Sequence, residues 1–372
     1  MVRAKQSSWS FTLLDLLLIA IPAAIALRYV PQWKNGPALF IIAGIAIVPL
    51  AGWMGRATEQ LAARSGSGIG GFLNATFGNA AELIIALVAL SQGLTGVVKA
   101  SITGSIIGNL LLVLGASILV GGIRYPKQTF NQTAARISAT SLGLGAIALL
   151  IPTVFHLAAA SRPGGWTLEG EQRLSLAIVI VLFLTYLCSL FFHLFTHRDL
   201  FSGPAEKEES ATGRWPLWQS ITALAVATAL IAWLSEFLVG SIESARHALG
   251  LTETFVGVVV IALVGNAAEH STAVWMAWRN KMDLSLSIAT GSSLQMALFV
   301  TPVLVFCSYA FGDPMTLEFS LPEIASIVLS IWIVGQISGD GESNWLEGVQ
   351  LLSLYIIIGI LFYYLPALPH ID

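Results

Sequence analysis

The sequence predicts an all-α membrane protein of eleven transmembrane helices: one extra N-terminal helix followed by two inverted five-helix repeats. Three observations predict this class. The composition is 56% hydrophobic and only 10% charged, whereas soluble domains carry about a quarter charged residues. Eleven apolar stretches are long enough for a helix to cross the hydrocarbon core. Finally, two short motifs recur at one common offset along the chain.

The composition also excludes several classes of function. A mean hydropathy of +0.79 makes the lipid bilayer the solvent for most of the surface. The formal net charge of −3 is too small to indicate a nucleic-acid partner. Cys188 and Cys307 both lie in apolar stretches. They cannot supply a four-ligand zinc site or a disulfide scaffold, and no prosthetic group is expected.

The apolar segments define the predicted domains. They centre on residues 11–29, 38–58, 69–91, 97–121, 134–158, 173–196, 217–240, 254–278, 284–310, 322–338 and 345–365. The first follows Arg3 and Lys5 but lacks a convincing small-x-small cleavage site, which favours a membrane helix over a signal peptide. The predicted domains are an extra helix over 1–36, a first repeat over 37–196, an acidic linker over 197–216 and a second repeat over 217–372.

The distribution of positive charge predicts the orientation. With the N-terminus inside, 12 Lys and Arg residues fall on the inner side and 6 on the outer side, and positive charge accumulates on the cytoplasmic side of membrane proteins. The sequence therefore predicts a cytoplasmic N-terminus and an external C-terminus. The six outer residues are Arg28, Lys34, Lys99, Arg162, Arg173 and Arg246.

A repeated pentapeptide indicates an internal duplication. The residues of Gly78–Glu82, GNAAE, recur as Gly265–Glu269, and the TGS of Thr103–Ser105 recurs as Thr290–Ser292 at the same offset of 187. Five predicted crossings separate the copies, so the two halves run in opposite directions. Inverted repeats bring broken helices together near the bilayer midplane, where the substrate sites of secondary transporters lie.

Two carboxylates carry the predicted chemistry. Glu82 and Glu269 lie in long apolar stretches, where an ionised carboxylate costs at least ~2.5 kcal/mol. A divalent cation, or protons, would offset that cost. Asn79 and Asn266 lie three residues before them on a helix and can add amide oxygens. Because Ca2+ takes about 6–8 oxygen ligands, these four residues are the predicted metal ligands. The alternative is that the glutamates only bond one helix to another.

Further residues are weaker candidates for the ion path. Gly78 and Gly265 can open their helices and expose backbone carbonyls. Ser105 and Ser292 belong to the repeated Thr-Gly-Ser motif and can line the path, but Gly104 and Gly108 also form a Gly-x-x-x-Gly face typical of close helix packing. Asn109 and Gln295 can contact ion or water, or only bond across helices. His270 can relay protons, since the ordinary pKa of histidine lies near neutrality, or it is a packed side chain.

The two signatures resemble those of a known family. The stretch Phe72–Glu82, FLNATFGNAAE, resembles the first signature of the calcium/proton exchangers, the CAX branch of the cation/calcium exchanger superfamily. Val264–His270, VGNAAEH, resembles the second. The resemblance covers nearly the whole chain. The sodium-coupled branches instead resemble Gly-Thr-Ser-x-Pro-Glu at this place, and this chain lacks that proline. The short acidic linker resembles prokaryotic members.

The resemblance implies eleven helices, Ca2+ bound between the signature glutamates and asparagines, and exchange of Ca2+ for H+. It also implies that the first, second, sixth and seventh segments move. The expected protein is therefore a secondary antiporter in the cell membrane of a prokaryote, with Ca2+ as transported substrate, and not an enzyme. A Na+- or K+-coupled calcium exchanger and a cation channel remain open alternatives. The sequence also leaves open whether the chain forms a homo-oligomer.

Overall fold

The computed structural model describes residues 13–34, 36–162, 165–197 and 215–366. Within these ranges the chain is mainly helical, with turns, short extended segments and one pair of two-residue strands between the helices. The predicted acidic linker, with the glutamates between Glu206 and Glu209, falls almost entirely outside the described residues, as does the start of the chain before residue 13.

Thirteen helices are found in the described part of the chain. A 3-10 segment, Leu13–Ile19, leads into the first. The helices are α1 (Ala20–Tyr29), α2 (Pro37–Ala62), α3 (Gly66–Phe77), α4 (Ala80–Ser91), α5 (Thr95–Arg124), α6 (Gln132–Ala160), α7 (Leu168–Thr196), α8 (Leu217–Val239), α9 (Ile242–Leu249), α10 (Glu253–Trp278), α11 (Met282–Phe311), α12 (Leu321–Ile337) and α13 (Trp345–Tyr364).

Eight of these helices are long and apolar enough to cross a membrane: α2, α5, α6, α7, α8, α10, α11 and α13. The other three predicted segments are also helical, but they are short or interrupted. They correspond to α1, to the pair α3 and α4, and to α12. The predominantly helical fold is therefore confirmed. The count of eleven spans and the inverted-repeat arrangement stay predictions.

π-helical turns interrupt several of the long helices. They cover Gly108–Val113 in α5, Val256–Ile261 in α10 and Met296–Val300 in α11, and Phe192–Thr196 ends α7. The turns in α5 and α11 nearly coincide when one is shifted by the repeat offset. π turns have irregular backbone hydrogen bonding and are frequent at functional sites. Their presence makes α5, α10 and α11 candidate helices for the functional site.

The chain divides into two compact units, each drawing on both halves of the sequence. One falls within Met1–Ile85 and Cys188–Ala245. In this first unit α2 packs against α1, α3 and α8. Arg56 binds the buried Asp15 at 2.9 Å between Nη2 and Oδ1, and its guanidinium lies 4.5 Å from the centroid of a Trp53 ring. This ion pair ties the start of the described chain to α2.

The second unit falls within Ala86–Leu187 and Arg246–Asp372. In this unit α5 packs against the π turn of α10 and, nearer its C-terminal end, against α13. A Cβ at Gly104 would overlap the carbonyl oxygen of Val258, and a Cβ at Gly257 would overlap the Cβ of Ala100. Glycine at these two positions therefore allows the two backbones to approach closely, a device typical of helix packing in membranes.

An extended segment between α11 and α12 shows how non-helical backbone is satisfied in the second unit. The backbone N–H groups of Met315, Leu317 and Phe319 donate to the hydroxyls of Ser308, Ser175 and Thr153, at 2.8, 2.9 and 3.1 Å. All three donors are buried. A buried, unsatisfied N–H would cost free energy, so three hydroxyls from three helices fix this segment.

A short strand pair lies at another set of helix ends in the second unit. β1 (Gln128–Thr129) and β2 (Glu342–Ser343) are antiparallel, with Gln128 opposite Ser343. The Gln128 side chain donates to the carbonyl oxygen of Ala277 at 2.9 Å, and Lys127 pairs with Glu342. This pair departs from the all-α prediction, which treated the stretch as a plain linker. Two residues per strand carry no hydropathy pattern that could have revealed it.

Candidate functional site

The second signature lies on α10, just after its π turn. Asn266 is buried, with 1% of its surface exposed, and Glu269 is half-buried one turn later. One carboxylate oxygen of Glu269, Oε2, is buried and has no hydrogen-bond partner among the described residues. A buried polar atom of this kind requires an explanation, since native structures leave few such groups unsatisfied.

Asn109 links the second signature to the first half of the chain. It lies on the π turn of α5 with 1% exposure. Its side-chain amide donates to Asn266 Oδ1 at 3.2 Å and to Ser292 Oγ at 2.9 Å. The amide oxygen of Asn109 takes part in neither bond. Asn109 therefore connects α5, α10 and α11 through its side-chain amide.

Asn266 and Ser292 complete a buried polar network. The Asn266 amide donates to Ser105 Oγ at 3.0 Å and to the carbonyl oxygen of Ala262 at 2.9 Å. The Ser292 hydroxyl bonds the carboxylate of Glu269. The network thus joins Ser105 and Asn109 of the first predicted repeat with Asn266, Glu269 and Ser292 of the second. Buried networks of this kind hold their members in one arrangement.

The chemistry of this network is that of hard oxygen ligands. It presents one carboxylate, two amides and two hydroxyls. Nowhere in the described ranges do three or more His, Cys, Asp or Glu side chains form a group that could hold a metal ion. A cation here would depend on amide, hydroxyl and backbone oxygens beside the carboxylate, the ligand types that Ca2+ and Mg2+ use.

The first signature belongs to the other unit and has a different backbone. Helix α3 ends at Phe77, Gly78 and Asn79 form a turn, and α4 begins at Ala80. Asn79 and Glu82 have 1% and 7% of their surface exposed, so both are buried, and Glu82 lies in the first turn of α4. That Glu82 and Glu269 share one site stays a prediction.

The backbone differs at the two signature glycines, and that either of them exposes backbone carbonyls to an ion stays a prediction. The chain leaves the helix at Gly78, whereas α10 continues unbroken through Gly265. The irregular backbone of α10 lies one turn earlier, in Val256–Ile261, where Gly257 packs against Ala100. Close packing against α5 therefore shifts the irregularity away from the second pentapeptide.

The weaker candidates separate into two groups. Ser105, Ser292 and Asn109 belong to the network, and Gly104 packs closely against Val258. That the serine hydroxyls line an ion path stays a prediction. A methyl group added at Gly108 would meet no atom within 4 Å, so the predicted Gly-x-x-x-Gly face is only half present. The Ser292–Glu269 bond also shows that Glu269 does join two helices, as the alternative interpretation required.

Gln295 and His270 were also weaker candidates for the ion path. Gln295 is half-buried where α11 enters its π turn. His270 is half-buried, and its Nε2 has no hydrogen-bond partner in the part of the chain that the structure describes. It lines an otherwise largely apolar cavity with Val120, Leu263 and Val274. The role of either residue in an ion path stays a prediction.

The sequence patterns did not reveal two polar clusters. Glu171 has 2% exposure and accepts from Trp166 Nε1 at 2.7 Å, with His156 Nδ1 at 3.3 Å. Lys99 was assigned to an outer loop, but it lies on α5 and donates to the carbonyl oxygen of Glu318 at 2.6 Å. Its place inside an apolar stretch was the available signal, because an intramembrane lysine needs a partner.

The family follows from comparison with known proteins. The model of the family described as sodium/calcium exchanger protein matches residues 35–195 and 219–364. This match covers far more than half of the chain. The chain belongs to this family of membrane transport proteins, and the resemblance drawn from the two signatures is confirmed.

Individual relatives sharpen the family assignment. The chain is 46% identical over 368 residues to the Ca(2+)/H(+) antiporter of Aphanothece halophytica, covering 95% of this chain and 97% of that protein. It is 43% identical over 355 residues to the Ca(2+)/H(+) antiporter ChaA of Bacillus subtilis, covering 94% and 99%. The structure of native YfkE is similar with a TM-score of 0.81 and 40% identity, covering 95% of this chain and 100% of that chain.

Proposed function

We propose that this chain is a secondary antiporter that exchanges Ca2+ for H+ across a cell membrane. One observation carries the proposal: the chain aligns at 46% identity over 95% of its length with a Ca(2+)/H(+) antiporter. The buried oxygen network around Glu269 supports it, because its ligand types suit a hard divalent cation. These relatives are antiporters, which supports a transporter rather than an enzyme.

The exchange itself follows from the chemistry of the two signature glutamates. We expect Glu82 and Glu269 to bind either Ca2+ or protons, with Asn79 and Asn266 adding amide oxygens. Protonation of a carboxylate removes a negative charge that a divalent cation needs, and bound Ca2+ favours the ionised carboxylate in turn. Protons and Ca2+ therefore compete for one site, which couples their movements.

The network around Asn266 supports a positioning role beside this site. The Asn109 amide donates to Asn266 at 3.2 Å and to Ser292 at 2.9 Å. The Ser292 hydroxyl in turn bonds the Glu269 carboxylate. Groups that orient ligands in this way set their geometry and charge. In the proposed site, Ser292 bonds the Glu269 carboxylate and Asn109 holds Asn266, which limits the positions that both ion ligands can adopt.

Alternating access would carry the site from one side of the membrane to the other. The division of the chain is consistent in part with the segments that the family resemblance implies as moving. The first, second and seventh segments fall in one unit, whereas the sixth is divided near Leu187. We propose that the first unit moves, with the N-terminus in the cytoplasm and the C-terminus outside.

The test is Ca2+-dependent proton flux in sealed vesicles that contain the purified full-length protein. We expect Glu82→Gln and Glu269→Gln each to reduce this flux by more than about 100-fold, since changes to groups that merely support metal ligands already cost about 10–100-fold. Glu171→Gln is the matched control, because Glu171 is also a buried carboxylate but lies outside both signatures. It should keep most of the flux.

Unchanged flux in both signature variants would refute the two-glutamate mechanism. Two further arms separate the rivals. Ca2+ uptake driven by a Na+ or K+ gradient at clamped pH would indicate a sodium- or potassium-coupled exchanger instead. Flux that only ever follows the Ca2+ gradient, and never opposes it under an imposed proton gradient, would indicate a channel.

A further inference from the structure

A basic and aromatic cavity lies at the helix ends of the second unit, away from the oxygen network. Its volume is about 480 Å³. It forms where α5 ends at Arg124, α10 ends at Trp278 and α11 begins at Met282. The lining residues are Arg124, Tyr125, Trp275, Trp278, Arg279 and Lys281. Three cations and three aromatic rings, with no carboxylate among the described lining residues, form an environment suited to an anion.

Aromatic rings fix the two arginines of this cavity. The Arg124 guanidinium lies 4.8 Å from the Trp278 ring centroid and 5.4 Å from that of Tyr125, and Arg279 lies 4.8 Å from the ring centroid of Trp275. Cation–π contacts of this kind orient the guanidinium without neutralising its charge. Both arginines therefore keep N–H groups available for an anion.

Neither arginine forms an ion pair with a carboxylate of the described residues. Among the residues that the structure describes, no Asp or Glu lies within ion-pair distance of Arg124 or Arg279. The acids on the adjoining segments have other partners: Asp283 accepts from the backbone N–H of Asn131, and Glu342 pairs with Lys127. The cavity therefore holds at least two unneutralised positive charges.

An apolar groove continues from this cavity along α10. It has a volume of about 630 Å³ and shares Trp275 and Trp278 with the basic cavity. The other lining residues are Val120, Leu263, Ala267, His270, Ser271 and Val274. From Trp278 back to Leu263, α10 covers about 22 Å at 1.5 Å per residue. Charge at one end and a long apolar trough at the other match the shape of a lipid.

We propose that the basic cavity and the groove together bind one anionic phospholipid. The lipid phosphate would lie between the guanidinium groups of Arg124 and Arg279, which can donate paired hydrogen bonds to phosphate oxygens. An acyl chain would lie in the groove against α10. Basic pockets between membrane helices are known to bind anionic headgroups, and tryptophans at helix ends favour the headgroup level.

The groove extends close to the proposed transport site. It reaches His270, which directly follows Glu269 on the same helix. The lipid would therefore pack against the helix that carries the second signature. This inference does not depend on which ion is exchanged, and its test measures lipid binding rather than transport.

The experiment uses the purified full-length protein in nanodiscs of phosphatidylcholine, with or without a minor fraction of phosphatidylglycerol. Retained phosphatidylglycerol is counted by native mass spectrometry, and the melting temperature is recorded. We expect phosphatidylglycerol to be retained by the wild type and to raise its melting temperature. The double variant Arg124→Gln/Arg279→Gln should lose about 5-fold in lipid affinity for each cation removed.

Matched variants separate the parts of the site. Arg162→Gln removes an exposed arginine of the same unit outside both cavities and should bind lipid as the wild type does. Val120→Phe narrows the groove and should weaken retention with the arginines intact. Arg124→Lys/Arg279→Lys keeps the charge and should retain part of the affinity, which covers the case in which the Gln variant fails to fold.

Two outcomes would overturn the proposal. The first is a folded Arg124→Gln/Arg279→Gln protein that retains phosphatidylglycerol as well as Arg162→Gln does. The second is protection of the wild type by inorganic phosphate or soluble glycerol phosphate equal to that by phosphatidylglycerol. That result would identify a free anion, and not a lipid, as the ligand of the basic cavity.

Discussion

The two signature segments share the residues GNAAE but fold differently. The first is split: α3 ends at Phe77, and α4 begins at Ala80. The second is continuous, and its irregular backbone is a π turn that ends at Ile261. Five identical residues therefore do not determine their own backbone. The surroundings of the motif therefore contribute to the backbone, and in the second copy the π turn packs closely through Gly257 on Ala100.

The helices that follow the signatures show the opposite behaviour. α5 and α11 carry the same Thr-Gly-Ser motif and enter a π turn at nearly the same repeat position, Gly108–Val113 and Met296–Val300. Here the duplicated sequence yields a similar backbone. The surroundings still differ, because Gly104 packs on Val258 whereas Gly291 has no atom within 4 Å of an added methyl. Symmetry of sequence thus extends to the backbone but not to the contacts.

Among substitutions that compare equivalent or neighbouring positions, two adjacent serines on α11 should differ most. Ser292 bridges Asn109 and Glu269, whereas Ser293 bonds mainly to the carbonyl oxygen of Ala289 on its own helix, at 3.0 Å. We expect Ser292→Ala to lower Ca2+-dependent proton flux by about 10–100-fold and Ser293→Ala to leave it near the wild-type rate. Equal losses of flux in the two variants would show that transport does not depend on the hydrogen bonds of Ser292.

The next effect separates the two glycines of the repeated Thr-Gly-Ser motif. A methyl at Gly104 would overlap a backbone carbonyl, so Gly104→Ala should lower the free energy of unfolding by about 1–3 kcal/mol. Gly291→Ala meets open space and should be neutral or stabilising by up to about 1 kcal/mol. Thermal unfolding in the same detergent measures both. The same change in stability for Gly104→Ala and Gly291→Ala would mean that the two glycines have similar packing.

The smallest effect concerns the split in the first signature. Gly78 is exposed with helical angles, φ −56° and ψ −50°, so alanine fits there. Gly78→Ala should favour joining α3 to α4, because alanine is about 1 kcal/mol better than glycine in a helix. We expect a higher melting temperature and slower transport. Gly265 is buried in a continuous helix, so Gly265→Ala should instead lower the melting temperature.

Much of the fold could be predicted from the sequence, because the bilayer requires apolar segments of a minimum length, and segment length can be read along the chain. A span needs about 20 apolar residues, and each predicted segment that the structure describes is helical. Lys99 was the misplaced charge, because it lies near the start of an apolar segment and its partners, Thr316 and the carbonyl of Glu318, lie more than two hundred residues away. Local hydropathy holds no information about such partners.

The residues of the candidate site could be predicted from the sequence, but the hydrogen bonds between them could not. Asn266, Glu269, Ser105, Ser292 and Asn109 were all singled out as polar residues in apolar surroundings, where polar groups are costly and therefore informative. That Asn109 donates to both Asn266 and Ser292 could not be predicted, because a helix periodicity does not give the rotation of one helix against another.

By itself, the sequence determined that this protein is helical and apolar, that its motifs are duplicated, and which acidic and amide residues are candidates for a cation. Composition, spacing and repetition are properties of the chain alone. Only the tertiary structure decided which signature breaks, which glycine packs, which hydroxyl holds Glu269, and that two arginines and two tryptophans surround one cavity. Each of these depends on contacts between residues far apart in the chain, which form only when the helices pack.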